Sequence, residues 1–161
     1  MKFKQKLTAG ITLINKRYKK KEFYHYFEEP NNVILIPIVK SKFLLVKQKR
    51  VPINQRNFEF PMGWMDKDET SLNASKRELL EETGYKSLKN PKKLIQYFAD
   101  PGRAARTVTL FYSNKLKKIQ KPEKNIQIFF KSRKEIENLI KKKKFNNSLH
   151  IAAFYFYIYN F

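Results

Sequence analysis

Residues 58–85, FEFPMGWMDKDETSLNASKRELLEETGY, hold Glu59, Asp66, Asp68, Glu69, Glu78, Glu81 and Glu82. These are half of the chain's 14 carboxylates, gathered in a protein with 35 Lys and Arg. A solvated surface would scatter them, so the cluster asks for a cation as partner. If the segment is helical, Glu78 and Glu82 project from neighbouring turns, and Glu81 joins them within an arc of about 100°. Three like charges repel and weaken a bare helix. Oxygen ligands on one rigid element are what a hard divalent cation takes. Arg77 falls beside Glu81 on the same wheel and can neutralise part of the cluster. The plain alternative is an acidic surface helix between two glycines.

The elements that must position these groups are legible nearby. Thr70 and Ser71 can cap a helix, and Gly84 stops it in the left-handed terminal position. Leu72, Leu79 and Leu80 fall on the side away from the carboxylates. Gly63, after Pro61-Met62, opens the preceding loop.

The spacing from Gly63 through Glu69, Arg77-Glu78-Leu79 and Glu81-Glu82 to Gly84-Tyr85 resembles the Nudix box, with Tyr85 where an aliphatic residue is more usual. Over roughly residues 32–155 the chain is similar to the ADP-ribose pyrophosphatase branch of that family. KQKR, FEFPMG and HIAAFYFY carry the likeness, as does Pro101, 16 residues after Tyr85. The resemblance implies an α/β (α+β) class, a three-layer α/β/α sandwich on a mixed sheet. It implies Mg²⁺ or Mn²⁺ held by Glu78, Glu81, Glu82 and the carbonyl of Met62. Arg77 would orient the cluster and Glu69 would support the loop, with Gly63 and Gly84 as structural positions. Arg50 and Arg56 would contact substrate, as would the Pro101-Gly102-Arg103 turn. A homodimer is implied as well.

That site would cleave the pyrophosphate bond of a nucleoside diphosphate derivative, ADP-ribose or a related nucleotide sugar. Bound cations neutralise the phosphate oxygens and acidify the attacking water. A general base must stand near that water. Glu123, the one acid of residues 117–125, is the candidate, with Glu82 acting through metal-bound water as the competing account. One departure from the branch is the sequence RAART, where an acidic residue is usual. A positive pair, Arg103 and Arg106, suggests a different or more highly phosphorylated substrate. The other functions compatible with the residues are removal of pyrophosphate from RNA 5′ ends or nucleoside triphosphates, and a non-catalytic nucleotide-binding module.

The 161 residues, 42% hydrophobic with 14 Phe and 9 Tyr, are read as one domain over 1–161, with 1–30 as an N-terminal arm of strands. No cysteine means no disulfide framework and no thiol chemistry. The net charge of +21 attracts polyanions: nucleotides, RNA or a membrane surface. It also fits an AT-rich coding bias toward Lys, Asn, Ile, Phe and Tyr. ITLI is too short for a signal peptide's apolar region, and the C-terminal IAAFYFYIYNF is far short of the roughly 20 residues a membrane span needs. The expectation is a cytoplasmic protein with no membrane partner.

Along the chain, residues 1–30 are expected to form a hairpin turning near Asn15-Lys16, with His25 in packing or at the surface. Residues 32–48 read as a hairpin broken at Lys40-Ser41-Lys42, its first strand irregular or at an edge because of Pro37. Phe58-Glu59-Phe60, Leu94 to Ala99, Val108 to Tyr112 and Ile126 to Phe130 read as strands. Ser132 caps a helix ending at Lys141 to Lys144, and Ser148 caps a last core helix in which His150 is structural.

Overall fold

The computed structural model describes residues 2–8, 10–20 and 22–161; Met1, Ala9 and Lys21, within the expected N-terminal arm, lie outside the described residues. The arm is an antiparallel sheet of β1 (Lys2–Thr8), β2 (Ile11–Lys19) and β3 (Glu22–Glu28). Its turns lie between Thr8 and Ile11 and between Lys19 and Glu22. The expected turn at Asn15-Lys16 is therefore corrected. Both residues sit mid-strand, opposite His25 and Tyr24, and the direction change falls at Gly10, whose φ of 123° suits only glycine.

The central sheet has the order β12-β5-β4-β10-β9, from β4 (Asn32–Val39), β5 (Lys42–Arg50), β9 (Lys92–Phe98), β10 (Thr107–Ser113) and β12 (Gln127–Lys131). β4 and β10 run parallel and the other pairs antiparallel, so the sheet is mixed. The β4–β5 hairpin turns at Lys40 and Ser41, both with positive φ (48° and 60°), the two-residue turn that matches strand twist.

Beyond that turn the two strands part. They pair only at Ile38–Phe43 and Val39–Lys42. The opening is filled by β6 (Gln55–Glu59), which pairs with β5, and β7 (Met62–Trp64), which pairs with β4. Pro61 joins them, and its carbonyl accepts the Leu35 amide at 3.0 Å. Pro37 lies two residues on, on the same side of β4, where β7 has ended and β5 has not yet begun to pair. The strand is central, and its irregularity there is what tolerates a residue with no N–H.

β4 alternates strictly. Val33 and Leu35 pack with Ala74, Leu79 and Phe111 under α1 (Ser71–Thr83). Ile34 and Ile36 pack with Ile136, Phe145, Ala153 and Phe154 under α2 (Arg133–Lys141) and α3 (Ser148–Asn160). Helices on both faces of a mixed sheet give the expected three layers. Each fully buried Leu, Ile or Phe contributes about 1.5–3 kcal/mol. Of the expected apolar face of α1, Leu72 and Leu79 reach this core; Leu80 is half-buried outside it. A short antiparallel pair, β8 (Tyr85–Ser87) with β11 (Leu116–Lys118), follows α1.

The caps follow local chemistry. Thr70 accepts the Asn73 amide at 3.2 Å, and Gly84 closes α1 with φ 74°. Ser132 and Glu135 form a reciprocal capping box. α3 is capped by Asn147, whose side chain accepts from Leu149, and not by Ser148, which is its first helical residue. His25 is exposed.

His150 lies in the core. It is fully buried, and its Nδ1 accepts the Phe60 amide at 3.2 Å. Burial pushes its pKa down to about 4. An unfolded chain would titrate this group near 6.5. Between those values the unfolded state binds more protons, so stability is lost as pH falls. The expected cost is about 3 kcal/mol between pH 7 and pH 4. Urea titrations of wild type and His150→Gln across that range check it: the wild-type stability should fall more steeply by that amount, and parallel curves would refute it.

Candidate active site

The carboxylate helix docks at the place where β4 and β5 part. Glu82 is buried, and its two oxygens accept from Gln48 Nε2 and from the Met62 amide, both at 3.1 Å. Gln48 and Arg50 share one face of β5, so both look onto this gap. Glu78 lies against β7. A Cβ on Gly63 would stand 1.9 Å from Glu78 Oε1, so only glycine leaves room for that carboxylate. Glu81 is the more open of the three, with a side chain 42% exposed.

Arg77 binds this group together. Its Nη1 donates to Glu78 at 2.7 Å and to Glu81 at 3.2 Å. Its Nε and Nη2 form a fork on Glu69, at 3.1 and 2.9 Å, and Nη2 also reaches the Trp64 carbonyl at 2.8 Å. The fork holds the Glu69 carboxyl below its usual range, and Glu69 in turn accepts the Asp66 amide at 3.0 Å to close the loop. Arg77 thus touches both outer carboxylates, and Glu69 joins it to the loop before α1.

Burial pushes the Glu82 carboxyl up to about 8, with neighbouring Glu78 adding to the effect, and raises Glu78 as well. Two neighbouring desolvated carboxylates that repel each other, one of them bonded only to neutral donors, suit a cation. Among the described residues no three such groups already converge at metal distance, because Glu78 and Glu81 are turned onto Arg77. The donor set, all oxygen on one helix beside the Met62 backbone, suits a divalent cation of the Mg²⁺ or Mn²⁺ kind.

Glu123 is brought to the same place by the end of α1. Its amide donates to the Glu81 carbonyl at 2.9 Å, and Ile119 and Gln120 both donate to the Gly84 carbonyl. A Cβ on Gly84 would meet the Gln120 carbonyl at 2.1 Å. Gly84 is therefore a docking surface for the late loop as well as a helix stop. The Glu123 side chain is exposed, and its charge acts on Glu78.

The other expected site residues divide. Arg50 lies at the gap, held on Glu59. Arg56 is further along, donating to the Asn125 carbonyl of the late loop at 3.1 Å. Pro101, Gly102 and Arg103 meet the N-terminal sheet: Tyr24 donates to the Gly102 carbonyl, and the Phe27 amide to the Arg103 carbonyl. Pro101 lines a cavity of about 470 Å³ with Lys16, Arg17, Tyr18, Tyr24, Tyr26, Ala104 and Ala105. Arg106 is not a free partner for Arg103, because it is paired with Glu29 at 2.8 Å. The expectation of an open positive pair in RAART is corrected accordingly.

Sequence reasoning missed Gln48, Glu59, Trp64 and the tyrosines of that cavity. Two signals were present. Gln48 and Arg50 alternate at the polar end of an apolar strand, and Glu59 interrupts Phe58-Phe60, which is where a buried charge needs a partner.

A family model described as NUDIX domain matches residues 28–148. The chain belongs to the Nudix family. It is 31% identical over 107 residues to an ADP-ribose pyrophosphatase of Bacillus subtilis (strain 168), covering 66% of this chain and 56% of that protein. It is 44% identical over 63 residues to putative nudix hydrolase 2 of Caenorhabditis elegans, covering 39% of this chain and 28% of that one. It is 31% identical over 109 residues to a methanol dehydrogenase activator of Bacillus methanolicus, covering 67% and 57%. The matches thus span 28% to 57% of the length of these relatives. A solved structure titled as that of an ADP compounds hydrolase superposes over 99% of this Nudix chain and 89% of its own, with TM-score 0.80 and 16% identity, a likeness of fold.

The buried carboxylates give a direct expectation. Mg²⁺ or Mn²⁺ at ten times its Kd should stabilise the protein by about 1.4 kcal/mol, a Tm rise of roughly 3–6 °C. Gly63→Ala, which evicts Glu78, and Glu82→Gln should both abolish the rise. Differential scanning fluorimetry reads it, and a full shift in either variant would remove that residue from the cation site.

Proposed function

We propose that this Nudix domain is a divalent-metal-dependent pyrophosphohydrolase of ADP-ribose or a related nucleoside diphosphate sugar, working as one domain over residues 1–161. The observation that carries the reading is that Glu78, Glu81 and Glu82 share the end of α1 to which the late loop ties Glu123, whose amide donates to the Glu81 carbonyl at 2.9 Å. A bound Mg²⁺ or Mn²⁺ would supply charge neutralisation at the phosphates and a more acidic water. Glu78, Glu81 and Glu82 would hold the cation with the Met62 backbone, and Arg77 keeps Glu78 and Glu81 in register. Glu123, exposed beside Glu78, takes the proton of the water that attacks phosphorus. The new P–O bond forms as the bridging P–O bond breaks, leaving two phosphate monoesters. Arg50 and Arg56 contact the phosphates. The tyrosine-lined cavity at Pro101, with Lys16 and Arg17 on its rim, suits the aromatic base or sugar end of such a substrate.

A second reading, removal of pyrophosphate from RNA 5′ ends, is favoured by the net charge of +21. A homodimer is part of the main reading. Phe3 and Phe23 share one face of the N-terminal sheet and are 63% and 51% exposed, and a second copy would cover them; a monomer by light scattering at micromolar concentration would reject this. The working place is the cytoplasm. Among the described residues no helix is long and apolar enough to cross a membrane.

The test is a panel of ADP-ribose, other nucleotide sugars, dinucleoside polyphosphates, nucleoside triphosphates and 5′-triphosphate RNA, each with Mg²⁺ and with Mn²⁺. ADP-ribose should be cleaved, and Glu82→Gln should lower turnover by about 10³-fold, the several kcal/mol a catalytic cation supplies. Cleavage of RNA or triphosphates alone would keep the metal site and discard the substrate. Nucleotide binding with no cleavage anywhere would discard the enzyme.

A further inference from the structure

We propose that Glu59 and His150 are positioning residues for Arg50, fixing its guanidinium at the gap beside the carboxylates so that it meets a phosphate of the substrate. The inference rests on the pyrophosphatase reading above. Glu59 and His150 are both fully buried, while the Arg50 side chain is 36% exposed. Arg50 Nε donates to both oxygens of Glu59 at 3.1 Å, and Nη2 closes the fork on Oε2. One guanidinium edge is thereby spent inward. The N–H groups on the other edge stay toward solvent, where a phosphate can take them in its own fork.

His150 stands behind Glu59. Because Nδ1 accepts the Phe60 amide, the ring proton is on Nε2. That Nε2–H is buried with no hydrogen-bond partner, and the acceptor it faces is Glu59 Oε2 at 3.7 Å. The buried N–H stands behind the buried carboxylate that anchors Arg50 and limits where that carboxylate can turn.

The anchor has a second consequence. Arg50 and Gln48 share a face of β5, and Gln48 already reaches Glu82. Glu82 is the other anion whose charge acts on Arg50. An Arg50 released from Glu59 would be free to turn away from the gap, leaving the phosphate unmet. Neither Glu59 nor His150 touches substrate; both act through Arg50.

A mutant cycle on the full chain tests this, read by steady-state cleavage of ADP-ribose with Mg²⁺ and by calorimetric binding of ADP without metal. Arg50→Ala should raise KM and weaken ADP binding about tenfold or more. Glu59→Gln should do nearly the same and His150→Gln about threefold less, with kcat within twofold in each. In the Arg50→Ala background neither should cost anything further. Glu59→Asp, which keeps the charge, should recover part of the loss and covers the case in which His150→Gln does not fold. Equal losses in both backgrounds would mean a purely structural role and overturn the proposal, as would unchanged KM and ADP binding in Glu59→Gln. A wild type that shows the binding pattern with ADP but cleaves nothing would sink the pyrophosphatase reading and leave the positioning role standing.

Discussion

The site depends on one guanidinium. Glu78 and Glu81 are placed on one helix face where their mutual repulsion would otherwise loosen α1, and Arg77 reaches both while its other edge grips Glu69 and the Trp64 carbonyl. Five planar donors on a rigid fork make this possible, and a lysine offers no such geometry. Through Glu69 the same side chain folds the loop from Trp64 to Thr70, and through Trp64 it ties that loop to β7. The approach of helix and strand then becomes so close that a Cβ at Gly63 would overlap a Glu78 oxygen. The cluster, the loop and the glycine are therefore one constraint.

The sheet supplies the space for it. A continuous β4–β5 ladder would seal the middle of the sheet with backbone hydrogen bonds. The strands pair for only two residues beyond their turn, and β6 and β7 line the opening with Asn57, Glu59 and the Met62 amide. Polar groups enter the centre of an apolar sheet at the one place where the ladder is already open. On the α2–α3 side, the fully buried His150 spends one nitrogen on the Phe60 amide and turns the other toward Glu59.

Sequence reading reached the helix, both of its caps and the nearness of Arg77 to Glu81, because these lie within one 28-residue stretch where helical spacing translates directly into geometry. It reached most strands of the main sheet by their apolar runs. It failed at the N-terminal hairpin, where Asn15-Lys16 looks like a turn, because cross-strand pairing with Tyr24 and His25 outweighs local preference. It could not see that Arg106 is spent on Glu29, or that Tyr24 and Pro101 share a cavity, since those contacts join residues some 77 positions apart. β7, β8 and β11, three residues each, are too short to carry a periodicity.

A chain with 35 Lys and Arg faces a hazard at any acidic site: its own cations are the nearest counter-ions. The structure answers by giving Arg50, and one edge of Arg77, other carboxylates to hold. Arg50 is committed to Glu59, and Arg77 divides itself between Glu69 and the outer carboxylates. Glu82, the most deeply buried of the three, is hydrogen-bonded only to neutral donors, the Gln48 amide and the Met62 N–H. Neutral donors orient a carboxylate without discharging it. Burial makes that charge costly, which fits the divalent cation proposed for the site. Glu59 thus keeps Arg50 off Glu82, and Glu69 takes the edge of Arg77 that does not reach Glu78 and Glu81, so each acid decides how much positive charge enters the cluster.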